Sequence, residues 1–248
     1  MIIIKSKDEI GFMRRAGRIV AGVLLKLGEL IKPGVTTGEL DRFAEDYIRA
    51  HGGLPTFLGY RGFPGSLCTS LNCEVVHGIP GKRKLIEGDI ISIDCGVTLD
   101  GYIGDAARTY AVGQITADAA RLIEGTEKAL EAGMRQMKVG NRVGDVGCAV
   151  EGVAKQYGFG VVRDFVGHGV GRSMHEEPQI PNFGNPGTGP RLKTGMVFAI
   201  EPMLNLGGYE VKVLEDKWTV VTADGSLSAH AEHTVALTEN GPEILTRV

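Results

Sequence analysis

The sequence predicts a mixed α/β (α+β) fold built from two related halves, each giving a pair of helices and a β-segment to a curved sheet. Three observations predict it. Glu87-Gly88-Asp89-Ile90-Ile91-Ser92-Ile93-Asp94 returns 107 positions later as Lys193-Thr194-Gly195-Met196-Val197-Phe198-Ala199-Ile200-Glu201: a glycine, a short apolar strand and a carboxylate at its end. Lys32-Pro33-Gly34, with Gly38-Glu39-Leu40 and a closing Gly52, returns at an offset of 106 as Lys138-Val139-Gly140, Gly144-Asp145-Val146 and Gly158. Helical patterns come in two pairs, with strand patterns in the intervals. A strand ending in an acid is common, so either echo alone is weak. Two echoes in the same order at nearly one offset point to an internal duplication.

The elements follow in order. Ser6-Lys7-Asp8-Glu9 reads as a capping box; Ile10, Met13, Gly17, Val20, Leu24 and Leu27 then keep helical spacing up to Lys32-Pro33-Gly34. Thr36 to Glu39 is a second box, opening a helix that runs to His51 before Gly52-Gly53. Thr116 to about Met137 and Val143 to Tyr157 repeat the pair. Strands are expected at about 67–77, 89–98, 104–112, 161–167, 195–204, 210–221 and 231–238. Glycine, at 37 residues, is about twice its ordinary share and gathers where strands turn or helices end.

Composition bounds the function. A chain of 248 residues can bury a large core, and no Ser/Pro-rich linker or charge run divides it. One domain over 1–248 is expected, with halves of about 1–112 and 113–248. Net charge is -3 with scattered basic residues, which argues against a nucleic-acid stripe or an electrostatic membrane surface and for small or peptide-like substrates. Met1-Ile2-Ile3-Ile4-Lys5 is far short of a signal core or a spanning helix, so a cytoplasmic protein is expected. Cys68, Cys73, Cys95 and Cys148 have no C-x-x-C spacing and read as free, mostly buried thiols.

The chemistry centres on acids. Asp94 and Asp105 flank a turn, and either a two-residue loop (Asp100-Gly101) or a four-residue loop (Thr98 to Gly101) puts both on one sheet face. Unpaired, they repel and a pKa rises; with a divalent cation between them, both stay ionised. Glu201 ends the equivalent strand of the second half before Pro202, and Ala231-Glu232-His233-Thr234-Val235 resembles the returning Gly104-Asp105-Ala106-Ala107-Arg108-Thr109. His168 in Gly167-His168-Gly169-Val170-Gly171-Arg172 is the fifth candidate. A lone histidine is more often a hydrogen-bonded core residue, but here four acids await a nitrogen ligand. Four carboxylates balance two divalent ions, so a bridging water can lose its proton at neutral pH and act as nucleophile. Oxygen-rich ligation with one imidazole suits manganese, iron, cobalt or zinc.

These residues resemble the type I methionine aminopeptidases, a pita-bread metallopeptidase family, in their short bacterial form. The ordered set Asp94, Asp105, His168, Glu201 and Glu232 carries the resemblance, together with Asn72-Cys73-Glu74-Val75-Val76-His77-Gly78-Ile79-Pro80, Gly167-His168-Gly169-Val170-Gly171 and His175-Glu176-Glu177-Pro178. The resemblance implies two pseudo-symmetric halves with a curved antiparallel sheet covered by helix pairs, and hydrolytic removal of initiator methionine from nascent chains. It implies that Asp105 and Glu232 bridge two ions, that Asp94 completes one, and that His168 and Glu201 complete the other. Glu201 doubles as proton shuttle, His175 stabilises the oxyanion, and His77 hydrogen-bonds near the scissile nitrogen. Family positions for the methionine pocket fall on Tyr60, Phe63, Cys68, Met174 and Trp218, alongside His77 and His175. Taken alone, each of the five is more often plain core or rim. His51, and also His230, read better as exposed loop histidines.

Gly96, where relatives carry a hydroxyl residue, and Ile103, where a polar one is frequent, depart from the family pattern and bear on metal affinity. Two rivals differ in class: X-prolyl aminopeptidases and prolidases, which usually carry a large extra amino-terminal domain, and non-catalytic pita-bread binding proteins, which commonly lose ligands. A monomer working near the ribosome exit is implied by the family role alone. Family specificity for a small second residue makes the Met1-Ile2 start resistant to self-processing. Mass spectrometry of the native chain is expected to find Met1, and a chain starting at Ile2 contradicts that specificity.

Overall fold

The computed structural model describes residues 1–248. Four helices and fifteen strands run in the order α1 (Lys7–Leu30), α2 (Thr37–Ala50), β1 (Leu54–Pro55), β2 (Cys68–Leu71), β3 (Glu74–Val76), β4 (Ile90–Leu99) and β5 (Tyr102–Ala111), then α3 (Ala117–Arg135) and α4 (Val143–Tyr157). There follow β6 (Gly160–Val161), β7 (Gly167–Gly169), β8 (Glu176–Ile180), β9 (Val197–Ile200), β10 (Met203–Asn205), β11 (Val211–Val213), β12 (Val220–Thr222), β13 (Ser228–His230), β14 (His233–Thr238) and β15 (Gly241–Ile244). No helix is long and apolar enough to cross a membrane.

Both expected capping boxes form. Ser6 Oγ accepts from Glu9 N while the Glu9 carboxylate accepts from Ser6 N, and Thr36 and Glu39 do the same at α2. The apolar stripe of α1 buries Val20, Val23 and Leu27 in one cluster with Ile91, Ile93 and Val97 of β4. Helices α3 and α4 cover the second half in the same way, with Leu122, Ala129 and Val150 over Leu204 and Ala229.

Each half supplies an antiparallel hairpin to its own sheet. In the first, β4 pairs with β1, β2 and β5. In the second, the order is β15-β14-β9-β7-β8. The two sheets are stitched across the middle by matched contacts. Asp105 N donates to Thr234 Oγ1 at 3.0 Å, and that hydroxyl donates to Asp105 O at 2.7 Å. Glu232 N donates to Ala107 O at 2.9 Å, and Thr109 Oγ1 donates to His230 O at 2.8 Å.

Several expected strands are interrupted, each for a local reason. The 195–204 stretch breaks at Glu201-Pro202, where proline has no N–H for a ladder. The 210–221 stretch breaks because Asp216 accepts from Trp218 N at 2.9 Å and Thr219 N at 2.8 Å, closing a turn. The 161–167 stretch survives only at its ends, as β6 and β7. Glu176-Glu177-Pro178 lies in β8; that strand is a sheet edge, where a missing N–H is tolerated.

Helix α1 approaches β5 backbone to backbone. A Cβ on Gly104 would lie 2.6 Å from Gly17 N, and one on Gly17 would lie 2.3 Å from Leu245 O. Gly17→Ala therefore trades a small gain in helix propensity for overpacking. It is expected to lower stability by about 1–3 kcal/mol in thermal or denaturant unfolding. Gly152→Ala, in α4 with nothing within 4 Å of the new Cβ, is expected to raise it by about 0.4–1 kcal/mol. Equal effects from the two would contradict the close packing.

Candidate metal centre and its cavity

The turn between β4 and β5 is the two-residue loop, with Leu99 paired to Tyr102. In that register Asp105 stands opposite Gly96 and Asp94 opposite Ala107. The two aspartates are therefore diagonal neighbours on one face. Glu201 follows β9 and Glu232 precedes β14 by one residue, beside the register pair Ile200 and His233. His168 sits mid-strand in β7, paired to Ala199 of β9. All five side chains line one cavity of about 200 Å³.

Asp105, His168 and Glu232 bring their ligand atoms within 4.8 Å of one another. His168 Nε2 is 3.4 Å from Glu201 Oε1 and 3.9 Å from Asp105 Oδ2. The other ring nitrogen settles the tautomer: Nδ1 lies 2.9 Å from Gly169 O, which can only accept, so Nδ1 carries the proton. Nε2 thus presents a lone pair toward carboxylate oxygens. Asp94 Oδ1, Asp105 Oδ1 and Glu232 Oε1 are buried without any hydrogen-bond partner. Convergent electron-pair donors with nothing to donate among them fit a cation.

Electrostatics says the same. Burial, followed by the charge of Asp105, pushes the Asp94 carboxyl well above its usual range. Glu201 is pushed up by burial, then by Asp105 and Asp94. Glu232 is pushed up by burial and then by Asp105 and Glu201, and Asp105 itself is pushed up to about 7 by burial. Burial and the neighbouring His175 lower His168 to about 4, so it is neutral at pH 7 and free to ligate. The Cys68 thiol, opposite Asp94 in register, is raised by burial and then by Asp94, which keeps it from competing as a thiolate.

The rest of the cavity wall is apolar and aromatic. Tyr60, Phe63, Cys68, Met174 and Trp218, the positions the family resemblance singles out, all line it. Phe63 and Trp218 meet edge to face with centroids 5.1 Å apart. His77 and His175 flank the opening. His77 has φ of 60°, a left-handed backbone, and packs edge-on to Phe165 at 5.6 Å; burial and then His175 lower it to about 4. His175 is exposed at the mouth, with Nδ1 2.8 Å from the Tyr60 hydroxyl and its ring 4.4 Å from that of His168.

Sequence reasoning missed three parts of the site. Phe57, Arg61, Val76, Phe165 and Val166 also line the cavity, but nothing in their spacing separates them from ordinary core or surface residues. Gly96 has a packing reason: a Cβ there would lie 2.7 Å from the Phe57 ring. The third is a correction. His230, expected in an exposed loop, is 2% exposed in β13, with Nε2 3.7 Å from Glu201 Oε2 and no hydrogen-bond partner for that nitrogen. The Ser228–His230 strand pairs with β10, which draws the ring inward. His51, by contrast, is exposed at the end of α2.

Comparison with known proteins agrees with this geometry. The sequence profile of metallopeptidase family M24 matches residues 11–239. A methionine aminopeptidase of Clostridium acetobutylicum is 55% identical over 247 residues, covering 99% of each chain. The crystal structure of methionine aminopeptidase from Thermotoga maritima superposes with a TM-score of 0.98 at 46% identity over 100% of both chains. Prolidase from Pyrococcus furiosus shares the fold alone, at 24% identity and a TM-score of 0.77, and this chain covers 66% of it. The chain belongs to metallopeptidase family M24 and, within it, to the methionine aminopeptidases.

Proposed function

We propose that the chain is a dinuclear metallo-aminopeptidase that removes the initiator methionine from nascent proteins whose second residue is small. One observation carries the reading: a largely apolar and aromatic cavity ends on five convergent ligands, three of which hold a buried oxygen without a partner. Asp94, Asp105, His168, Glu201 and Glu232 would hold two divalent ions, from among manganese, iron, cobalt and zinc. When bound, such ions act as Lewis acids, lowering the pKa of a water and polarising a carbonyl.

The protein groups do the remaining work. Tyr60, Phe63, Cys68, Met174 and Trp218 enclose an unbranched thioether, whose sulfur makes favourable contacts with aromatic rings. Glu201 takes a proton from the attacking water and returns it to the leaving amine. His175 is neutral at pH 7, since partial burial and then the charge of Arg61 lower its pKa. Its Nδ1 meets the Tyr60 hydroxyl; in the tautomer where Tyr60 is the donor, the single proton resides on Nε2, where it can donate to the developing oxyanion. His77, held by its left-handed turn and by Phe165, donates near the scissile nitrogen. The chain is read as one catalytic domain, active as a cytoplasmic monomer beside the ribosome; absence of a membrane-spanning helix and the family role support that setting.

Chelator-stripped protein is expected to regain cleavage of Met-Ala-Ser, but not of Met-Ile-Ser, when manganese, iron, cobalt or zinc is restored. Glu201→Ala should lower kcat by about 10²–10⁴. Preference for Ala-Pro-Ser would move the chain to the prolidase branch, and no cleavage with any metal would remove the catalytic reading.

A second expectation concerns stability against pH. Five histidines are lowered in the folded state and add a slope opposite in sign to that of the carboxyls, which dies away by about pH 8; it is shared by the stripped and the metal-loaded protein. The four buried carboxyls are raised in the folded state, so there the metal-free protein binds more protons than its unfolded chain. Their stabilising contribution is complete at low pH and is lost as pH rises through the folded pKa values. The thermal midpoint of stripped protein should therefore fall more steeply from pH 7 to 9 than that of metal-loaded protein, since the raised Cys68 and Cys95 thiols add the same downward slope to both. Parallel curves would show that the carboxyls are not buried together.

A further inference from the structure

Lys5 belongs to no motif and lines no cavity, yet its ammonium is buried against the loop that carries two residues of the site. Lys5 Nζ meets Glu176 Oε2 at 2.5 Å, with side chains only 4% and 6% exposed. The same ammonium donates to Ile3 O at 3.1 Å, and Lys5 N donates to Gly195 O at 2.7 Å, which ties the segment to the turn before β9. The other carboxylate oxygen closes the loop itself: Glu176 Oε1 accepts from Arg172 N at 3.0 Å and Ser173 N at 3.4 Å. Met174 and His175 lie between those contacts. Gly171 opens the loop, and a Cβ there would lie 2.5 Å from Glu176 Oε1 and 2.7 Å from Lys5 Cε, so the ion pair fills the space a side chain would take.

A buried pair is a poor source of stability, because desolvation offsets its attraction; its use is in holding two elements in one relative geometry. The loop needs such a hold. His175 is exposed, steadied otherwise by the Tyr60 hydroxyl and the adjacent His168 ring. We propose that Lys5 is a positioning residue for the reaction: it anchors the Glu176 carboxylate, and through it the Arg172–Glu176 loop, so that His175 and Met174 face the cavity in one conformation. The inference rests on the roles given to those two residues under the proposed function.

Three variants of the metal-loaded protein test it. Lys5→Met leaves the Glu176 carboxylate buried without a cation. Lys5→Met/Glu176→Gln removes that charge but keeps an acceptor for the loop amides. Lys7→Met is a control, since Lys7 meets Glu239 on the open surface. Lys5→Met is expected to lower kcat on Met-Ala-Ser by about tenfold to hundredfold and to raise KM, with metal affinity by calorimetry unchanged. The double variant should recover most of the loss, and Lys7→Met should lose nothing. In NMR spectra the His175 imidazole signals should move or multiply in Lys5→Met and return in the double variant. Unchanged kcat, KM and imidazole signals in Lys5→Met would overturn the proposal, as would a double variant no better than the single. The imidazole signals do not depend on peptide cleavage, so failure of the proposed function and failure of this inference are separate results.

Discussion

Four carboxyls and one imidazole share a space of about 200 Å³, and that crowding is the constraint on which the rest of the centre depends. Charges of one sign cannot be buried together without a compensating charge or protons. No lysine or arginine pairs with the group, although Arg61 lines the same cavity: the ion pairs made by Asp105 and Glu201 are with His168 and His230, both held neutral by burial. A divalent cation is what the donor set fits, and the family to which the chain belongs uses one. The same burial that makes the acids costly in the metal-free protein makes them strong ligands once the cation is in place.

The duplicated architecture brings the acids together. In the first half Asp94 and Asp105 sit within the paired strands β4 and β5; in the second Glu201 follows β9 and Glu232 precedes its partner β14, and the halves meet so that the two strand pairs face each other. Thr234 and Thr109 make this meeting specific. Their hydroxyls bond to the backbone of Asp105 and His230 across the seam, which fixes the acids through main-chain atoms and leaves their side chains free. The helix pairs outside bury the apolar faces of the same strands, so the hydrophobic core and the ligand geometry are set by one packing arrangement.

Much of this was legible in the sequence, and the physics explains which parts. Capping boxes are local, so Ser6–Glu9 and Thr36–Glu39 read directly. The Asp94–Asp105 juxtaposition needs only the two-residue period of a strand and a tight turn. Asp216 turns the chain within a stretch whose apolar pattern reads as one strand, and its effect is invisible until its oxygens are seen to meet two amides. Phe57, two residues beyond the strand β1 that pairs with β4, and His230, in β13, reach the site through distant strand pairing, information that local pattern does not carry. Gly96 looked like a missing hydroxyl; its reason is the ring of Phe57, thirty-odd residues earlier in the chain.

The most direct measurement is the number of protons released when metal binds to stripped protein at pH 7, from calorimetric titration in buffers of different ionisation enthalpy. If the buried carboxyls hold protons until a cation displaces them, uptake releases protons, and the release shrinks as pH is raised. Binding at this site with no proton release would mean that the acids are already ionised without metal, and would contradict the account.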